Sequence, residues 1–339
     1  MRFESMPKVE LHLHLEGAIP VATMWELIEG RGGHPDVPDL EALVRRYEYR
    51  DFAHFIETWI WMNQFLDSYD AFQAAAEAVA ASLASQRIVY AEASYSPSDF
   101  ARFDLAPDEL AMAIRRGLDR IPHVRVGLVA DLVRDKGPQR AERTLDAVID
   151  VAPDAGIVGI TIGGSEAEFP PEPFAAVYSR ARRSGLRLSA HAGEAAGAAS
   201  VRGALDHLGV DRIGHGIRAV EDPEVLFRLV NGNVPLEVCP SSNLATGVAD
   251  SWDTHPVRTL IDVGAMVTIS SDDPAMFHNS VAGDLEALYG LGYGDATIQR
   301  LAENAIEASW APPTVKLALA DELGAWWDGM ARDASFTST

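Results

Sequence analysis

His12 and His14 alternate with leucines in the run VELHLHLEGA, residues 9–18. Side chains two apart on a strand point the same way. This stretch therefore offers two imidazoles to one point in space, with Glu10 and Glu16 on the same face. An H-x-H pair alone is weak evidence, and so are the other polar groups taken singly. DDP at 272–274 is an ordinary turn or helix cap, and HAGE at 191–194 could be a tight turn and nothing more. Together they read differently. His191, Glu194, His215, Asp272 and Asp273 each fall where a strand-like segment ends. Ionisable groups gathered in one barrel mouth are costly unless paired or coordinated. His12, His14, His191 and Asp272 make a Zn²⁺ set with a position left for water. Zinc would lower the pKa of that water to ~7, and Glu194 and His215 remain as acid–base groups beside it.

The elements that must position these groups are eight short Val/Ile/Leu-rich segments. They lie at 9–17, 88–97, 125–134, 158–166, 186–194, 211–216, 235–243 and 265–274. Most are separated by amphipathic stretches with Pro near their starts and Gly at their ends. Eight alternating units without a composition break predict an α/β protein, a (β/α)8 TIM-type barrel. A doubly wound sheet is the competitor, but no G-x-G-x-x-G or Walker loop follows the first strand. The barrel is expected over 1–330. A helical insertion at about 18–87 would lie at the mouth, and 331–339 would be an unstructured tail. Active sites of such barrels lie at the C-terminal ends of the strands, where the ionisable residues fall. The aromatic run at 52–65 could be a lid or simply helix packing, and is left out of the site.

The chain has 339 residues and a formal charge of −22. That balance argues against a nucleic-acid partner, which needs clustered Lys and Arg. No apolar run reaches the ~20 residues of a membrane span, so no membrane partner is expected. The start, MRFESMPKVE, lacks the pattern of a secretory signal. One cysteine, Cys239, cannot form an internal disulfide. A cytoplasmic protein is the economical expectation. Without H-E-x-x-H or P-C-x-x-C, neither a helix-borne protease site nor a Cys-ligated deaminase site is expected.

The motifs MPKVELHLHLEGA, AHAGE, RIGHG, EVCPSSN and SSDDP occur in that order and spacing, and here the chain resembles the adenosine deaminase family of metal-dependent amidohydrolases. The likeness runs over residues 6–313. It implies a barrel with one Zn²⁺ per subunit, held by His12, His14, His191 and Asp272, and hydrolytic removal of the 6-amino group of a purine. It implies that Glu194 shares a proton with purine N1 and that His215 assists deprotonation of the attacking water. Asp273 would bond N7 and Gly164 would offer its N–H to N3, with His14 and Glu16 also against the substrate. Hydroxide adds at C6, a tetrahedral intermediate forms and ammonia leaves.

The substrate is a small purine nucleoside or base. Glu16 stands where nucleoside-cleaving members have Asp, a replacement seen in relatives acting on adenine. Gly214 before His215 resembles the nucleoside enzymes instead, since the adenine enzymes tend to carry Asp there. Ser165 in GGSE stands where the family has an acid. Adenosine or 2′-deoxyadenosine is the leading expectation, with adenine, or a modified adenosine such as aminodeoxyfutalosine, as the alternative. Other metal barrels with two metals and a bridging Lys are disfavoured because the fourth strand offers no Lys. A barrel that only binds nucleosides is disfavoured because every ligand and the acid are present. Oligomeric state is not legible.

Overall fold

The structure is a computed structural model that describes residues 1–336 of the backbone and side chains to residue 332. Eight parallel strands form one sheet in chain order: β1 (Lys8–His14), β2 (Ile88–Tyr95), β3 (Arg125–Asp131), β4 (Ile157–Thr161), β5 (Arg187–Ala192), β6 (Arg212–His215), β7 (Leu236–Val238) and β8 (Val267–Ile269). The ring closes just past β8. Asp272 N–H donates to His12 O at 3.0 Å, and His14 N–H donates to Asp272 O at 2.9 Å. The fold is thus the expected (β/α)8 barrel. The expected strands overran because their last residues bend away: Gly164 at φ +101°, Gly193 at +75° and Asp272 at +68° lie outside the extended region.

Between β1 and β2 come four helices, α1 (Val21–Gly30), α2 (Leu40–Arg46), α3 (Phe52–Met62) and α4 (Tyr69–Ser85). Three begin on side-chain caps: Asp39, Asp51 and Ser68 accept from the amides three residues on, at 2.7, 2.9 and 3.3 Å. The last helix, Pro313–Phe336, runs into the stretch expected to be an unstructured tail, because residues 317–332 are rich in strong helix formers. Residues 337–339 of that stretch lie outside the described residues. Among the described residues no helix is long and apolar enough to cross a membrane.

Branched apolar side chains usually fill such a barrel, but here its floor is charged. Arg212, 1% exposed, donates to Glu92 and to Glu237, each at 2.5 Å, and to Ala308 O at 2.9 Å. Its guanidinium stacks 3.6 Å over the Trp310 ring. Glu92 also accepts from Tyr90 Oη at 2.9 Å and from Trp310 N at 2.5 Å. Burying these charges is costly, and good geometry with every group bonded offsets the cost. Arg212→Met would leave two carboxylates buried without their cation. Stability should fall by about 3–5 kcal/mol, read as a lower denaturant midpoint. An unchanged midpoint would show that the cluster does not hold the floor.

Candidate active site

Two strands and the turn after a third deliver the metal-ligating set predicted from the sequence: His12 and His14 on β1, His191 on β5, and Asp272 past β8. The nitrogens and carboxylate oxygen of His12, His14, His191 and Asp272 lie within 4.8 Å of one another. His12 Nδ1 donates to Glu237 Oε2 at 2.9 Å, and His14 Nδ1 faces Ser94 Oγ at 3.1 Å. Since Ser94 Oγ spends its own proton on Leu13 O, it must accept from His14. Both rings therefore aim a bare Nε2 at the cluster. These lie 3.4 Å (His12) and 3.3 Å (His14) from Asp272 Oδ1, and His14 Nε2 is 3.1 Å from His191 Nε2. At that distance the two imidazole nitrogens must share a proton or a cation, because two lone pairs facing each other would repel. His12 Nε2 and Asp272 Oδ1 are buried with no hydrogen-bond partner. Burial opposes a proton on His12, yet the carboxylates of Asp272 and Glu237 outweigh it and push the ring up to about 10. The cluster calls for positive charge at its centre, and the residues fit a tetrahedral divalent metal.

Glu194 and His215 flank this cluster, with His215 Nε2 at 3.6 Å from Glu194 Oε2 and 3.9 Å from Asp272 Oδ2. Burial, then the charges of Asp272 and Glu166, raise Glu194 well above the carboxylate range, which favours its acid form. Burial holds His215 down at about 3, so its ring is neutral. Asn243 Nδ2 lies 3.3 Å from His215 Nδ1, and Asn243 Oδ1 has no partner. Turned over, the amide would satisfy that oxygen by accepting from Nδ1–H, which leaves Nε2 free as a base. Burial, then Asp272, also raises Asp273 well above its ordinary value. Asp273 lies against Gly17, where a Cβ would overlap its carboxylate.

His14, Gly164, His191, Glu194, His215, Asp272 and Asp273 line one cavity of about 170 Å³. Glu16 is fully buried behind it, accepting from Ser96 N at 2.9 Å. Burial, then the nearby Asp99 and Asp131, push Glu16 up to about 8. Phe52, Phe55 and Trp59 of α3 also line the cavity, and the Trp59 ring stands edge-on 5.7 Å from His14. The aromatic run left out of the site therefore forms part of its wall.

A family description, adenosine deaminase, matches residues 7–326. The chain belongs to the adenosine deaminase family. An adenine deaminase of Rhizobium leguminosarum bv. trifolii is 36% identical over 324 residues, 93% of this chain and 98% of that one. The crystal structure of an adenine deaminase from Arthrobacter aurescens superposes with a TM-score of 0.88 at 33% identity, covering 95% of this chain and 99% of the other. An amidohydrolase from Burkholderia ambifaria, solved with bound Zn, gives a TM-score of 0.89 at 25% identity over 98% of this chain and 94% of the other. The deaminase family acts by hydrolysis on C–N bonds of cyclic amidines, and this chain is such an enzyme.

Two residues that hold the deaminase site were not legible in the sequence. Glu166, 4% exposed, accepts from the amides of Gly193, Glu194 (3.0 Å), Ala195 (2.8 Å) and Ala196 (3.0 Å). Arg134, fully buried, donates to His191 O at 2.6 Å and to Phe169 O at 2.9 Å. One carboxylate thus fixes the turn that carries the acid, and one guanidinium fixes the strand that carries a ligand. In Glu166→Ala the four amides lose their acceptor and Glu194 drifts. Turnover should fall by roughly 10²-fold while metal content stays at the wild-type level. Wild-type turnover would show that the turn holds itself.

Proposed function

We propose that this chain is a Zn²⁺-dependent hydrolytic deaminase of a 6-aminopurine, with adenosine or 2′-deoxyadenosine as its substrate. The observation that carries this is the convergence of four ligand groups, two of them (His12 Nε2 and Asp272 Oδ1) buried without a partner, beside a Glu194 raised well above the carboxylate range and a neutral His215 in one cavity. Zinc, present by name in the Burkholderia relative, would supply Lewis acidity that makes hydroxide available at neutral pH. Glu194 gives its proton to N1, which draws electrons from C6. His215 Nε2 takes a proton from the attacking water and offsets the charge that develops. Asp273, kept protonated, donates to N7, and the Gly164 amide meets N3. His215 passes its proton to the amino group as the C6–N bond breaks and ammonia leaves, and the hydroxyl left on C6 returns its proton to Glu194 as it becomes the carbonyl.

The nucleoside reading is favoured by Gly214. A Cβ there would come within 2.8 Å of His12 Cε1, so the site has no space for the Asp that the resemblance gives to adenine enzymes at this position. Adenine is the second reading. Glu16 favours it, as do the printed names of the Rhizobium and Arthrobacter relatives.

Ammonia release from adenosine, 2′-deoxyadenosine, adenine, N6-methyl-AMP and aminodeoxyfutalosine tests both readings. Metal-loaded protein inert on all of them would defeat the proposal. Glu194→Gln should lose at least ~10²–10⁴-fold in kcat with zinc retained; near-normal turnover would remove Glu194 from the chemistry. Because Glu194 is raised, its acid form persists to higher pH than that of an ordinary carboxyl. Activity should therefore hold at neutral pH and fall on the alkaline side as that proton is lost. A pH profile that rises steadily into the alkaline range would contradict the role.

A further inference from the structure

The cavity has two unlike halves. The metal-ligating and acid–base groups stand on β1, β5 and β6 and past the end of β8. The facing half is walled by loops after β2, β3 and β4, with Ser96, Asp99, Asp131, Lys136 and Gly164 on the lining. The roles proposed above, on which this inference rests, give the purine a direction. C6 meets the metal cluster, N1 faces the β5 side, N7 the β8 side and N3 the β4 side. In a purine, N9 lies on the periphery between N3 and N7, across from C6. The strands run in order around the ring, so N9 and whatever it carries point at the arc of β1, β2 and β3.

On that arc Asp99 and Lys136 form an ion pair at 3.1 Å, with side chains 23% and 44% exposed. Lys136 is recorded against Asp99 Oδ1, and Oδ2 has no recorded protein partner among the described residues. The β3 loop is forced into place. Val133, a β-branched residue, sits at φ +48°, a conformation that persists only when the surroundings impose it. Asp131 imposes it by accepting from Val133 N at 2.9 Å and from Gly163 N at 2.8 Å. Lys136 is also the single Lys or Arg on the cavity wall among the described residues, and it shares that wall with Asp99, Asp131 and Asp135.

We infer that Asp99, oriented by Lys136, reads the N9 substituent by accepting hydrogen bonds from ribose hydroxyls, and that the acidic arc rejects a phosphorylated one. The hydroxyls are neutral donors that a carboxylate suits. A phosphate would bring two negative charges against an arc whose one cation is already paired.

The test uses the full chain loaded with zinc, as wild type, Asp99→Asn and Asp99→Ala. Values of kcat/KM are taken for adenosine, adenine and AMP, with zinc content and thermal midpoint as checks on folding. Wild type should turn over adenosine and handle AMP at least ~10²-fold less well. Both variants should lower the adenosine-to-adenine ratio by ~10-fold or more, chiefly through the KM for adenosine. A ratio unmoved in both folded variants overturns the assignment. So does a wild type that acts on adenine alone, or on AMP as well as on adenosine. In each of those cases a 6-aminopurine is still deaminated and the reaction class stands; activity on adenine alone moves the substrate to the second reading. Metal-loaded protein inert on every one of the three fails that function instead.

Discussion

Four electron-rich ligand atoms crowded within 4.8 Å, out of water, are the constraint on which the rest of the structure depends. Left alone they would turn outward or take up protons. Each is therefore gripped from behind. Glu237 and, through it, Arg212 hold His12; Ser94 holds His14; Ser242 Oγ holds Asp272 at 2.6 Å; and Arg134 holds the backbone of His191. Outer partners of this kind set ligand orientation and basicity. The barrel itself closes through Asp272, whose backbone bonds join the end of β8 to His12 and His14. The seam of the fold and the ligand set are the same few residues, so neither could be altered without the other.

The same logic extends to the acid–base pair, by way of strain. His215 at φ +59° and Asp272 at φ +68° are non-glycine residues in the left-handed region, at a cost of about 1–3 kcal/mol each. Only a rigid surround maintains that. Glu166, bonded to four consecutive amides, and the ion cluster on the floor supply rigidity from two sides. The low polarity that makes the cluster expensive also raises Glu194 and keeps His215 neutral. One environment thus sets both the geometry and the protonation states.

Legibility in the sequence followed the range of the interaction. The eight strands were readable because Val, Ile and Leu recur in short runs, and the H-x-H pair because a strand alternates its faces. Arg212, Glu92 and Glu237 carry no local sign of their role, since nothing near them in sequence reveals that three strands bring them together under His12. Arg134 lies 57 residues from the carbonyl it holds, and Glu166 lies 27 to 30 residues from its amides. The apolar face of α3 was visible as periodicity, but a hydrophobic face does not say what it covers. Phe55 and Trp59 cover the cavity.

The two halves of the mouth are built differently. Strands that carry the metal-ligating set are held by the barrel's own hydrogen bonds. Loops after β2 and β3 carry no ligand, and a change there leaves the metal cluster intact. Glu16 sits at the junction: it follows His14 by two residues, yet its carboxylate bonds the β2 loop at Ser96 and lies close to Asp99 and Asp131. Its identity alone therefore cannot decide between base and nucleoside. Its reach into the pocket depends on how the neighbouring loops hold it. Gly214 is different in kind, because a side chain there would press directly on the His12 ring. That makes the β6 position a constraint on the metal first and on the substrate second.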